Sequence, residues 1–320
     1  MVKENKMKTL YIIGNGFDVA HNLGTSYGEF HDWLMEKGYS YFVENMELFF
    51  SRWDREAQRD QLWYDFERAI GSCDFEETYS MFANQSREFY GEGYEYLRDI
   101  RNISDEHFSN PLIHEMPSLF IDWIKSINAK IANINPQELI LQNVNSSDLF
   151  LNFNFTDTLE QAYGISSSRI CHIHNRVSVG ETPIVGHNTT FDISEPYDMT
   201  RAERELKQSL ADVLNRYKKN YKANIANNSG FYRQIDEQVT TLCFYGHSLG
   251  DIDLPYFKDI KKRVSQNALW FFYIYQGENG KHLERNKNAV LAFIKKMRLN
   301  RQQCKAFDSK VMNQEIHLDN

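Results

Sequence analysis

Two rhythms of apolar and polar positions divide this chain. Thr9-Leu10-Tyr11-Ile12-Ile13 is a continuous apolar run closed by Gly14. That is the pattern of a strand buried on both faces, as in a parallel sheet. Residues 17–23 then predict a turn and a short helix. From residue 26 to about 133 the rhythm is helical: Phe30, Trp33 and Leu34 share a face, as do Leu62, Phe66 and Ile70, and again Leu119, Phe120, Trp123 and Ile124. This region predicts an insertion of about four or five helices, too long for a simple crossover and too periodic for a loop. Strand-like runs return at 148–153, at 169–174 and, more briefly, at 183–186. Residues 200–226 carry many charges and scattered apolar positions, which predicts one or two exposed helices. Two further strands are predicted at 240–245 and 270–275, followed by a helix over 288–297.

Strands that alternate with helices and end in Gly, Asn or His predict an α/β fold with a doubly wound parallel sheet. Residues 1–25 and 134–320 would form that domain, with 26–133 as the helical insertion after the first strand. Ligands of such sheets bind outside the carboxyl ends of the strands, so the strand ends are where chemistry is sought.

Composition narrows the function classes. At 320 residues the chain can bury one large domain or two small ones. Aromatic residues reach 14%, much of them between residues 39 and 120, and at helical spacing they predict the insertion's own core rather than a partner surface. A net charge of −8 and the lack of a long Lys/Arg run argue against a broad nucleic-acid surface. Lys218-Lys219 and Lys261-Lys262-Arg263 read as solvated helix faces. Cys73, Cys171, Cys243 and Cys304 are widely separated with no C-x-x-C pair, so neither a zinc ribbon nor a dense disulfide framework is predicted. Cys171 and Cys243, inside apolar runs, read as small buried hydrophobes. No stretch approaches the roughly 20 apolar residues of a membrane span, and the first residues lack the apolar core of a secretory signal, so a cytoplasmic location is expected.

Four strand-end motifs carry candidate chemistry. Gly14-Asn15-Gly16-Phe17-Asp18 follows the first strand, where glycines permit a sharp turn and a close backbone approach to a phosphate. The full dinucleotide fingerprint needs a further glycine where Val19 stands, so a tight turn without ligand remains open. Asp18 would repel a phosphate and is expected to cap the helix or orient a ribose hydroxyl. Asn152-Phe153-Asn154-Phe155-Thr156-Asp157-Thr158-Leu159-Glu160 delivers two asparagines and a helix start, with Glu160 placed for capping. Asn154 can position a ribose hydroxyl or a water without titrating, or merely close the turn. His172-Ile173-His174-Asn175 puts both histidines on one strand face, and Gly186-His187-Asn188 follows. No matching carboxylate or cysteine set is evident in the sequence, so no metal is expected and one histidine as general base is the sharper reading. Last, Gly246-His247-Ser248-Leu249-Gly250-Asp251 fits the G-x-S-x-G elbow of hydrolases letter for letter. Only His282 and His317 follow Ser248, which makes a serine nucleophile the second choice.

Together with Thr25-Ser26-Tyr27 and Trp63-Tyr64-Asp65-Phe66-Glu67, these motifs resemble the AbiH family, named for bacteriophage abortive infection, over nearly the whole chain to about Asp253. Their order also resembles, more distantly, sirtuin-like NAD-binding domains of phage-defence proteins. That resemblance implies a Rossmann-like, sirtuin-like sheet and NAD as substrate or ligand. Asn154 would orient water and ribose, and His174 would be the catalytic histidine. The nucleotide would be held by Gly14, Asn15, Gly16, Phe17, Asp18, Asp157, Gly246, Ser248, Gly250 and Asp251. This chain departs from the sirtuin pattern in three places. Asp157 lies one residue further from Asn154, Asn175 replaces a glycine after His174, and the zinc cysteines of the deacetylases are missing. The implied activity is hydrolysis of NAD to ADP-ribose and nicotinamide, depleting the cofactor of an infected cell. A phage-derived trigger and a second copy of the chain are candidate partners. A nucleotide sensor without turnover and a Ser248 hydrolase are the alternatives. The base is His172, His174 or His187, with His174 preferred because the family motif ends there.

Overall fold

The computed structural model describes residues 7–55, 59–90, 94–137, 143–193, 200–311 and 314–318. It is an α/β structure around a mostly parallel seven-stranded sheet. The strands are β1 (Lys8–Ile13), β2 (Leu149–Asn152), β3 (Ile170–His172), β4 (Val239–Tyr245), β5 (Leu269–Ile274), β6 (Cys304–Asp308) and β7 (Glu315–Ile316). Their order is β3-β2-β1-β4-β5-β6-β7, and β7 alone pairs antiparallel, with β6. The chain moves outward from β1 to β3, returns to the other side of β1, and moves outward again from β4. The order therefore reverses between β1 and β4.

Period-two side-chain direction explains the burial. Leu10, Ile12, Leu149, Leu151, Leu242 and Phe244 join one apolar cluster with Phe257 and Phe293, from the helices Leu254–Arg263 and Leu283–Met297. Tyr11, Ile13, Phe150, Cys243 and Tyr245 join a second with Phe17, Leu159 and Tyr163. With apolar partners on both sides, β1, β2 and β4 read as unbroken apolar runs rather than alternating ones. Cys171 and Cys243 are part of these clusters, and all four cysteines are buried and unpaired.

Register positions the candidate chemistry. Ile13 pairs with Asn152 and with Tyr245, and Asn152 pairs with His172. These four residues form one row across β3, β2, β1 and β4, so the segments that follow them leave the sheet at the same edge.

Contacts divide the chain into two compact units, one of Met1–Thr25, Lys125–Glu181 and Asn220–Asn320, the other of Ser26–Ile124 and Thr182–Lys219. The second unit is helical. Ser26 and Glu29 form a capping box at the Tyr27–Glu36 helix, as Thr200 and Glu203 do at Arg201–Arg216. Its aromatics form a core: Phe30 packs on Trp123 at 4.9 Å and edge-on to Phe120 at 5.5 Å, and Phe49 is edge-on to Phe108 at 5.3 Å. Within Trp63-Tyr64-Asp65-Phe66-Glu67, Asp65 caps the Phe66–Gly71 helix and Phe66 is buried. Glu67 pairs with the buried Lys219 at 2.9 Å.

The expected strand at 183–186 does not form; only an isolated bridge, His187 to Lys218, lies beside it. Pro183 has no N–H to give a ladder, and the Gly186 N–H donates to the Glu67 carboxylate at 2.8 Å instead. The run predicted at 169–174 also shortens, because β3 ends at His172. Among the described residues no helix is long and apolar enough to cross a membrane.

Candidate functional site

Gly14 and Gly246 end β1 and β4, and their loops are pressed backbone to backbone. A Cβ on Gly14 would lie 2.5 Å from the His247 Cα, and one on Gly16 would lie 2.8 Å from the Gly246 Cα. Gly246 adopts φ 66°, where a Cβ would meet the Phe17 nitrogen at 2.1 Å. The N–H groups of Gly14, Gly16 and Phe17 donate to the carbonyls of Tyr245, Gly246 and Gly14 at 2.9, 2.8 and 2.9 Å. These glycines thus join two strand ends, a task that sequence reading had not given them. Asn15 and Gly16 are exposed, whereas Phe17 and Asp18 are buried.

Asp18 does not cap the following helix. Gly14 holds the N-cap position without a side-chain bond, and Asp18 is fully buried. Its two oxygens accept hydroxyl protons from Thr156 at 2.5 Å and Thr158 at 2.7 Å, tying the first loop to the segment after β2. Burial pushes its carboxyl up to about 6, against the hydrogen bonds from Thr156, Thr158 and Asn154 that favour the ionised form.

After β2 the two asparagines divide the work. Asn152 closes the turn, its Oδ1 accepting the Asn154 N–H at 3.0 Å. Asn154 reaches back to β1, its Nδ2 donating to the Gly14 carbonyl at 3.1 Å. The Asn154 Oδ1 is buried with no hydrogen-bond partner, a condition that costs about 1–3 kcal/mol unless something donates to it.

His172 and His174 do not share a strand face. The chain turns at Ile173-His174, where the Asn175 N–H returns to the His172 carbonyl at 3.1 Å, and the two imidazoles go to different carboxylates; Asn175 leaves this turn at φ 71°. His172 Nε2 meets Glu160 Oε1 at 2.9 Å. Glu160 is therefore not a capping residue: the Thr158–Gln161 helix has Asp157 at its N-cap position and no side-chain cap bond. Arg176 binds Asp157 at 2.7 Å and Glu160 at 3.3 Å, and the Ser178 hydroxyl donates to Asp157 at 2.9 Å. Burial lowers the Arg176 pKa, but the Asp157 hydrogen bond and the charge of Glu160 more than offset it, so the pKa is raised. Donor atoms of Asp157, Glu160 and His172 lie within 4.8 Å of one another, a metal-compatible spacing that the sequence pattern did not reveal. Arg176 supplies a cation to both carboxylates there.

His174 turns to Asp253. Its Nε2 lies 3.7 Å from Asp253 Oδ1, and Asp253 Oδ2 lies 3.4 Å from His247 Nε2. The His174, Asp253 and His247 side chains are buried, at 5%, 12% and 3% exposure. Phe153 is edge-on to both imidazoles, 5.4 Å from His174 and 4.5 Å from His247.

The neighbours of His247 go elsewhere. Asp251 is exposed and pairs with Lys296 at 2.5 Å. Ser248 is exposed, and among the described residues no hydrogen bond reaches its hydroxyl. The positive-φ residue of this turn is Leu249, at φ 59°, whereas a nucleophile elbow holds its strained turn at the serine. Gly250 follows at the start of the Asp251–Asp253 turn. His187 belongs to the second unit, where its Nε2 meets the Leu214 carbonyl at 3.1 Å and burial lowers its pKa.

Every strand end assembled here falls within one family signature, since the model for bacteriophage abortive infection AbiH matches residues 10–275. The chain belongs to the AbiH family. No curated protein and no solved structure matches it. In this AbiH chain the first unit brings together Gly14, Gly16, Asn154, His174 and Gly246 at one edge of the sheet. Sequence reasoning missed Asp253 and His247. The available signal was that Gly246-His247-Ser248 and Asp251-Ile252-Asp253 stand in one strand-end segment, where a turn can return the second aspartate to the histidine.

Proposed function

We propose that this AbiH-family protein binds NAD at the carboxyl edge of β1–β4 and hydrolyses it to ADP-ribose and nicotinamide. The observation that carries the reading is the buried Asn154 Oδ1, which has no hydrogen-bond donor and lies in the chain between Phe153 and Phe155, whose rings pack on His174. A ribose hydroxyl or an ordered water supplies the missing donor. The strand order fits a Rossmann-like, doubly wound sheet related to sirtuin-like domains, whose ligands lie where the order reverses, here between β1 and β4.

The chemistry asks little of the protein. Nicotinamide is a cationic leaving group, so its bond to ribose C1′ breaks through an oxocarbenium-like transition state without a strong acid. Water forms the new C1′–O bond and its proton passes to His174, which gives it to solvent. Asn154 holds the water or the ribose, and the loops of Gly14 and Gly246 flank the nucleotide. Asn175 is compatible with the glycine expected after His174, because asparagine tolerates the left-handed conformation it adopts at φ 71°.

The test incubates the purified protein with NAD and quantifies nicotinamide and ADP-ribose by chromatography. Release by the wild type, lost by about 10²-fold or more in His174→Ala and Asn154→Ala, is the expected result. No release under conditions where NAD still raises the melting temperature would leave a sensor. Labelling of Ser248 by a fluorophosphonate would favour the hydrolase.

A further inference from the structure

We infer that Asp253 positions His174 and that His247 holds Asp253, so two imidazoles and one carboxylate act together. The inference rests on the reading of His174 as the group that takes the proton.

The tautomer of His247 is fixed by Leu249. Its N–H donates to His247 Nδ1 at 2.9 Å, so Nδ1 is the unprotonated nitrogen and the ring hydrogen sits on Nε2. That hydrogen faces Asp253 Oδ2 at 3.4 Å. A donor from His247 favours the ionised form of Asp253, whose other oxygen faces His174 Nε2 at 3.7 Å. A carboxylate there favours the His174 hydrogen on Nε2 and stabilises the imidazolium that forms when the ring takes a proton. Both contacts exceed an ideal hydrogen bond, as catalytic contacts do before substrate tightens them. Phe153, edge-on to both imidazoles, limits their rotation. The Tyr256 ring packs 6.1 Å from His174, and its hydroxyl accepts from Asn224 Nδ2 at 2.7 Å. Asp251, bound to Lys296, is committed elsewhere.

The experiment follows the His174 imidazole by nitrogen NMR of histidine-labelled full-length protein, assigned with His174→Gln. The wild type should show the hydrogen on Nε2. Asp253→Asn should lower the His174 proton affinity about tenfold or more and slow nicotinamide release by about 10²-fold. Two His247 variants separate positioning from folding. His247→Gln keeps a donor near the Nε2 position and should retain the His174 titration. His247→Asn keeps an acceptor for the Leu249 N–H but loses the donor, and should lower it. An unchanged tautomer and titration in folded Asp253→Asn overturns the inference. If that variant does not fold, identical His174 titration in the two His247 variants overturns it. The NMR readout needs no NAD, so shifted titration without turnover overturns the NAD reading while the positioning role stands.

Discussion

Two regions at the end of β3 use the same residue types to opposite ends. On one side, His172, Glu160, Asp157 and Arg176 form a dense network with contacts of 2.7 to 3.3 Å, Ser178 and Gln161 also donate to Asp157, and, among the described residues, the Glu160 Oε2 alone is buried without a hydrogen-bond partner there. On the other, His174, Asp253 and His247 stand 3.4 and 3.7 Å apart, with the unmatched Asn154 acceptor at the next strand end. A dense network of short charged contacts holds a turn in place. On the His174 side the buried Asn154 Oδ1 keeps capacity for a donor. The difference separates scaffold from candidate site more sharply than residue identity does, since histidines and carboxylates occur in both.

The comparison breaks most visibly at Arg176. Arg176→Met leaves Asp157 and Glu160 buried against each other and should cost about 3 kcal/mol in urea denaturation, whereas Asp253→Asn should cost about 1 kcal/mol. A reversed ranking would mean that the His174 side is the scaffold.

A pH series sharpens the comparison at Asp18, the carboxylate that joins the two strand-end loops. Its folded pKa, about 6, lies above the ordinary value of 3.8, so the proton is held more tightly in the folded state. The stability this gives is fully present below the unfolded pKa and is lost as pH rises through about 6. Asp18→Asn should therefore gain on the wild type between pH 4 and pH 7, by an amount on the order of 3 kcal/mol at most. A variant that instead loses ground to the wild type as pH rises over this range would refute the buried, raised carboxyl.

The smallest effect is expected at the turn that separates the two histidines. Asn175→Ala puts a Cβ-bearing residue without a compensating side-chain bond at φ 71° and should cost about 1 kcal/mol in thermal unfolding. Asn175→Gly should stay within about 0.5 kcal/mol of the wild type. Equal losses in both would show that the side chain, not the backbone, matters there.

Much of the sheet was legible because apolar runs bounded by Gly or Asn are local signals. Residues 148–153, 240–245 and 270–275 contain strands, and the capping box at Thr200 marks a helix start. The run at 183–186 misled because the polar partner of Gly186, Glu67, comes from distant sequence, as does Tyr217, which accepts from the next residue, His187. Asp18 misled for the same reason: its acceptors' partners, Thr156 and Thr158, lie far along the chain.

By itself the sequence determined the α/β class, the buried strands and the four strand-end segments, because these depend on side-chain periodicity and on local turn chemistry. Tertiary structure decided the partnerships. Register set Asn152, His172, Ile13 and Tyr245 in one row, and a turn at Ile173-His174, closed by the Asn175 N–H on the His172 carbonyl, parted two histidines that strand alternation would have kept together. Which carboxylate meets which imidazole is a matter of a few ångströms between segments distant in the chain. The order of residues constrains those distances only through the packed fold.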